Sequence, residues 1–205
     1  MSNNGFAIAV LLTVAFLSVP AFAQPTSFLG KTAEQWQAQL QSDDRQDRHA
    51  AAWALAQLGD VAMAQAMLER NTDPVVSYWA VQGFGKASQG QLNSRERRDL
   101  IGRIHHLTLS QQPAVRIAAA EQLAAIGSHP DVSAELSQVC LNAALPVLIK
   151  ALDEPQDSAA AQAAAALVGL GKKAAPARSK LQQARETGSE YVKRHAIAAL
   201  KNLEE

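Results

Sequence analysis

An Ala-rich phrase recurs five times along this chain, and no other feature constrains its fold as tightly. The copies run Asp47–Leu55, Val76–Phe84, Val115–Leu123, Ala159–Leu167 and Val192–Leu200. Their closing anchors Leu55, Phe84, Leu123, Leu167 and Leu200 lie 29, 39, 44 and 33 residues apart, and each interval accommodates a pair of helices. Counted from the start of the phrase, positions 1, 4, 5, 8, 9 and 12 share one face of a helix with about 3.6 residues per turn. They hold mostly Ala, Val, Leu and Ile, whereas positions 2, 3, 7 and 11 are more polar and form the expected outward arc.

Before each phrase stands a second amphipathic segment. Thr32–Gln41, Val61–Glu69, Arg95–Leu107 and Cys140–Leu152 are the clearest. Thr32 with Gln35 three residues on predicts a capped helix start. Polar turns separate the two helices at 42–44, 71–74, 110–113 and 153–155. Their Pro74, Pro113 and Pro155 mark the starts of second helices, where a missing N–H is tolerated. Gly59, Gly127 and Gly171 are expected to end helices in the left-handed conformation.

Ala supplies 41 of the 205 residues, while aromatics make up 5%. Such a chain builds its core by close approach of backbones. Ala is also the best helix former and a weak strand former, and no alternating β-branched run with hairpin turns competes. One helix pair buries little alone, so successive pairs must stack. The expected fold is all-α, a right-handed α-α superhelix of about five helix pairs. The 19 basic and 19 acidic side chains balance, which leaves no overall field for nucleic acid or an anionic membrane.

Residues 1–23 carry no charge, are almost wholly apolar from Phe6 to Val19, and end in Ala21-Phe22-Ala23. This predicts a secretory signal peptide and a periplasmic or extracellular mature chain beginning at Gln24. The apolar run is short for a membrane span. Residues 24–30 then form a short lead-in and residues 31–205 the repeat domain. The single Cys140 lies in an apolar stretch and is expected to be buried.

The phrase at 115–127, Val-Arg-x-Ala-Ala-Ala-Glu-x-Leu-x-x-Ile-Gly, resembles the second helix of a HEAT repeat of the short bacterial type also found in phycobilin lyases. Lys31–Leu40 and Asp44–Gly59 resemble the opening repeat of secreted bacterial HEAT proteins. The resemblance extends over about residues 31–205, closest in the third copy and loosest in the second and fourth. It implies a scaffold that binds protein along a curved surface lined by second helices, and it implies no chemistry.

The residues themselves point the same way. Gly83-Phe84-Gly85-Lys86 and Gly169-Leu170-Gly171-Lys172 lack the strand and spacing of a phosphate loop and read as helix ends. His105 and His106 are adjacent, so they point about 100° apart on a helix and serve one metal ion poorly. His49, His129 and His195 are scattered, Cys140 and the serines have no nucleophile context, and the acidic pairs at 43–44 and 153–154 sit in turns where Asp caps helices. No catalytic residue, metal or cofactor is expected.

The candidate protein-binding residues are Arg48, His49, Trp53, Tyr78, Gln82, Arg116, Glu121, Lys193 and Arg194, all on the outward arc. The leading expectation is an exported, non-catalytic scaffold for an unidentified protein. The alternatives are an enzyme or chaperone of the phycobilin-lyase type and a module that self-associates through Cys140 or through an open last repeat.

Overall fold

The computed structural model describes residues 27–90 and 92–204. The signal peptide expected at 1–23 and the first part of the lead-in lie outside the described residues. Ser27–Phe28 (β1) and Lys31–Thr32 (β2) pair as a small antiparallel hairpin, with Ser27 opposite Thr32. The sequence pattern gives no sign of it. Its turn places both Leu29 (φ 49°) and Gly30 (φ 78°) at positive φ, as a type I′ hairpin loop requires.

Ten helices follow among the described residues. They are α1 (Ala33–Gln39), α2 (Arg45–Leu58), α3 (Val61–Arg70), α4 (Pro74–Ser88), α5 (Ser94–Leu107), α6 (Pro113–Ser128), α7 (Ala134–Ala151), α8 (Asp157–Leu170), α9 (Arg178–Thr187) and α10 (Glu190–Asn202). A 3₁₀ segment, Gly171–Ala177, leads into α9. The even-numbered helices carry the five phrases.

Local chemistry sets most of the starts. Thr32 and Gln35 close the expected capping box on α1. Asn93 and Glu96 close another on α5. Asp44, Asp60, Asp73 and Ser133 cap α2, α3, α4 and α7 through their side chains. Pro74 and Pro113 each occupy the first turn of a second helix. Pro155 stands just before the Gln156 cap of α8. α7 starts six residues before the expected Cys140 and tolerates Pro146 in its interior, on the exposed side.

The glycines divide. Gly59 ends α2 in the left-handed region, as expected. Gly171 takes φ 52° and ψ −133°, a different region that also excludes side chains. Gly127 does not terminate its helix. It lies in the last turn of α6, where an added Cβ would stand 2.9 Å from Cys140 Cβ and 3.0 Å from Ser137 O. Its role is to let α7 approach.

The helices form two layers. α2, α4, α6, α8 and α10 pack side by side in an unbroken row, each against the next, with α1, α3, α5, α7 and α9 stacked behind them. In the outer layer α3 and α5 stand apart, bridged by Arg103 Nη1 donating 3.4 Å to Gln65 Oε1 above a groove. The closely spaced second helices are therefore the inner side of the curve. Ala makes the close spacing possible, since 22 of the 47 buried apolar residues described are Ala. Larger side chains such as Phe84, Ile104, Leu123, Leu148 and Leu167 fill the space between layers. The first repeat has its own cluster around Trp36, Leu55 and Met67. Cys140 is fully buried, and burial pushes its thiol up, so a disulfide between two chains has no access to it. Leu200 and Leu203 are 8% exposed, but Ile197 and Tyr191 on α10 are 54% and 69% exposed, so the last repeat keeps an apolar face toward solvent.

Candidate protein-binding face

Each inner helix is wedged between two others of its row as well as against its outer partner, which widens and turns its buried arc. Positions 5, 9 and 12 of the phrase are buried as expected where they hold Ala51, Leu55 and Leu58 in α2 or Ala163, Leu167 and Leu170 in α8. Position 6 is buried too, at Ala52, Val81, Ala120 and Ala164, and exposed only at Ile197, on the last helix of the row. Position 4 is not, at Ala50, Trp79, Gln162 and His195, although Ala118 of the third copy is fully buried. The solvent-facing arc therefore centres on positions 4, 7 and 11, and position 2 turns away from it.

That rotation bears on the three candidates at position 2. Arg48 does not face outward: its Nη1 donates 2.8 Å to both Ser42 O and Asp43 O, tying α2 to the preceding turn. Arg116, at the same position of the third copy, donates 2.8 Å to Ser110 O and pairs with Glu154 at 2.7 Å in the following turn. Lys193, also at position 2, reaches Glu190 on its own helix at 3.5 Å.

His49 stands 3.0 Å from Asp73, the cap of α4, and so bridges the first two repeats. Burial pushes the Asp73 carboxyl up. The hydrogen bonds from His49 and from Val75 N–H, with the charges of His49 and Arg45, outweigh it and hold the carboxyl below its ordinary value. The acidic turn pairs have similar duties. Asp44 caps α2, Asp153 meets Lys180 at 2.7 Å and Glu154 takes Arg116.

Trp53 is 37% exposed, and Phe28 of the hairpin packs edge-on against its ring at 5.3 Å between centroids. The carbonyl of Phe28 accepts from Trp36 Nε1 at 2.9 Å. The hairpin thus covers the inner side of α2. Arg194 is exposed on α10, at the other end of the row.

Three candidates do come together. Gln82 on α4 and Gln162 on α8 both donate to Oε2 of Glu121 on α6, at 3.3 and 2.9 Å. Gln122 donates 2.7 Å to Gln82 Oε1. Tyr78 lies beside this ladder. Burial pushes its phenol up to about 12, the negative charge of Glu121 adds to the rise, and a hydrogen bond from Gln82 opposes it. Next to Tyr78 is Trp79, edge-on at 5.0 Å. A shallow groove runs from Glu121 between α6 and α8, floored by Ala125, Ala165 and Gly169 and reaching Ser128. Sequence reasoning missed Gln122, Gln162 and Ser128. Gln162 was legible as the lone polar side chain within the Ala run of the fourth copy.

Among the described residues no group of three or more His, Cys, Asp or Glu is placed to hold a metal ion. No described helix is long and apolar enough to cross a membrane. Gly83-Phe84-Gly85-Lys86 lies inside α4 rather than at its end, and Gly169-Leu170-Gly171-Lys172 spans the end of α8.

The model of the PBS lyase HEAT-like repeat matches residues 47–70 and 115–154, each a second helix followed by the next outer helix. An engineered protein from a structural genomics consortium superposes with a TM-score of 0.51 at 23% identity, covering 84% of this chain and 79% of that one. A designed armadillo repeat protein superposes with a TM-score of 0.50 at 22% identity, covering 82% and 80%. Comparison with curated proteins finds no match. The chain is an all-α solenoid of the HEAT and armadillo type. Within that class, two stretches of the chain are similar to the PBS lyase HEAT-like repeat.

Proposed function

We propose that this protein is an exported, non-catalytic scaffold that binds a protein partner along the inner face of α4, α6 and α8. The observation that carries this reading is the Gln82–Glu121–Gln162 ladder beside an Ala-floored groove. It is a rigid polar row across three repeats, open to solvent on one side. A partner that meets such a row loses little side-chain entropy on the scaffold's side. The layout of residues 1–23 supports export.

The test is photo-cross-linking in the periplasm or medium of the native cell, with a photoreactive residue at Ala165 on the inner face or at His106 on the outer one. Adducts at Ala165 and none at His106 are expected. Adducts at His106 alone would move the binding face to the outer layer. The repeat's name keeps an enzymatic reading testable: covalent transfer of a bilin to an acceptor protein by the purified chain would contradict the non-catalytic one. Self-association is read by sedimentation, and a dimer that survives reduction would place a contact elsewhere than at Cys140.

A further inference from the structure

We propose that the groove between α6 and α8 recognises a Lys or Arg side chain of an extended partner segment, with Glu121 as its counter-charge. The inference deepens the scaffold reading and rests on it.

Both amide donors of the ladder converge on one oxygen of Glu121, Oε2. Oε1 has no donor among the described residues, and it is not among the buried polar atoms that lack one. It therefore opens to the groove or to solvent. Among the described residues Glu121 also has no Lys, Arg or His within ion-pair distance, whereas the half-buried carboxylates Asp73 and Glu154 each have one. The result is an anionic group fixed by neutral amides from both neighbouring repeats, its charge uncompensated.

The groove matches a cationic side chain in shape as well as sign. Glu121 is the only ionisable group among its lining residues. Ala125, Ala165 and Gly169 leave a shallow apolar trough for a methylene stem. Its volume, about 230 Å³, takes one long side chain and little more. A Lys stem extended along the trough places its ammonium at Glu121 Oε1. A carboxylate-bearing segment meets repulsion at Glu121 and no cation to offset it.

The experiment selects binders from a random dodecapeptide library against the full chain and against Glu121→Gln, Ala165→Lys and, as an outlying control, Glu135→Gln. Thermal melts confirm that each folds. Binders to the wild type and to Glu135→Gln should be enriched in Lys or Arg. A synthetic peptide carrying the selected basic residue should bind Glu121→Gln and Ala165→Lys at least about tenfold more weakly, the order of loss expected when one partner of a desolvated charge pair is removed. Ala165→Lys keeps the test decisive if Glu121→Gln disturbs the ladder, because it sets a cation beside an intact Glu121. Inner-face binders without basic enrichment, or enrichment that survives both variants, would overturn the inference and leave the scaffold reading standing. Failure to select any binder to the inner face would overturn both.

Discussion

Arg48 and Arg116 stand at the same position of the repeated phrase and show what that position is for. Each guanidinium gathers carbonyls of the turn before its helix, and Arg116 also reaches Glu154. Arg116→Ala should therefore cost more than Arg48→Ala, about 1–3 kcal/mol against about 1 kcal/mol in urea denaturation. A double-mutant cycle with Glu154→Ala should return a favourable coupling, and additive losses would contradict the pairing. Two residues set a pH dependence. Tyr78 keeps its proton in the fold up to about 12, while the unfolded phenol loses it at 10.0. Its contribution is complete below pH 10 and is lost as pH rises toward 12. Denaturation at about pH 9 and about pH 11 should show that drop, smaller in Tyr78→Phe. Asp73 acts at the opposite end. Its carboxyl is lowered from 3.8, so its contribution is present above that value and lost as pH falls through the folded one. His49→Gln should shrink the acid loss.

At the scale of the element, Gly127 and Leu29 carry the most specific expectations. Gly127→Ala forces a methyl against Cys140, Leu141 and the Ser137 carbonyl and should destabilise by about 1–3 kcal/mol. Gly102→Ala, on the open side of α5 with nothing within 4 Å, should stabilise by about 0.5–1 kcal/mol. Equal melting shifts for the two would contradict the close approach of α6 and α7. Leu29→Asn places a residue tolerant of positive φ in the hairpin turn and should raise the melting temperature. The helices were legible because caps, prolines and apolar spacing are local. Thr32, Asp44, Pro74 and Pro113 begin elements where a short-range rule puts them. The hairpin was not, since two residues per strand leave no periodicity. Gly127 was misread as a terminator because its partner, Cys140, comes from the next helix.

For the whole molecule, stacking decides what the phrase alone could not. A lone helix pair would bury positions 1, 4, 5, 8, 9 and 12. Insertion between neighbouring helices turns the buried arc toward positions 5, 6 and 9, taking Arg48 and Arg116 off the outward face and leaving Gln82, Glu121 and Gln162 on it. Ala-rich composition announced this packing, because only small side chains let a row of helices stay so close. It could not say which polar residues of separate copies would meet. The net charge of zero likewise hid a local imbalance at Glu121. The most direct measurement of the scaffold claim is chemical-shift mapping of the isotope-labelled chain with a selected peptide. The account predicts saturable shifts along α4, α6 and α8, centred on Glu121, Ala125 and Ala165. Shifts confined to the outer helices α3, α5 and α7 would contradict it.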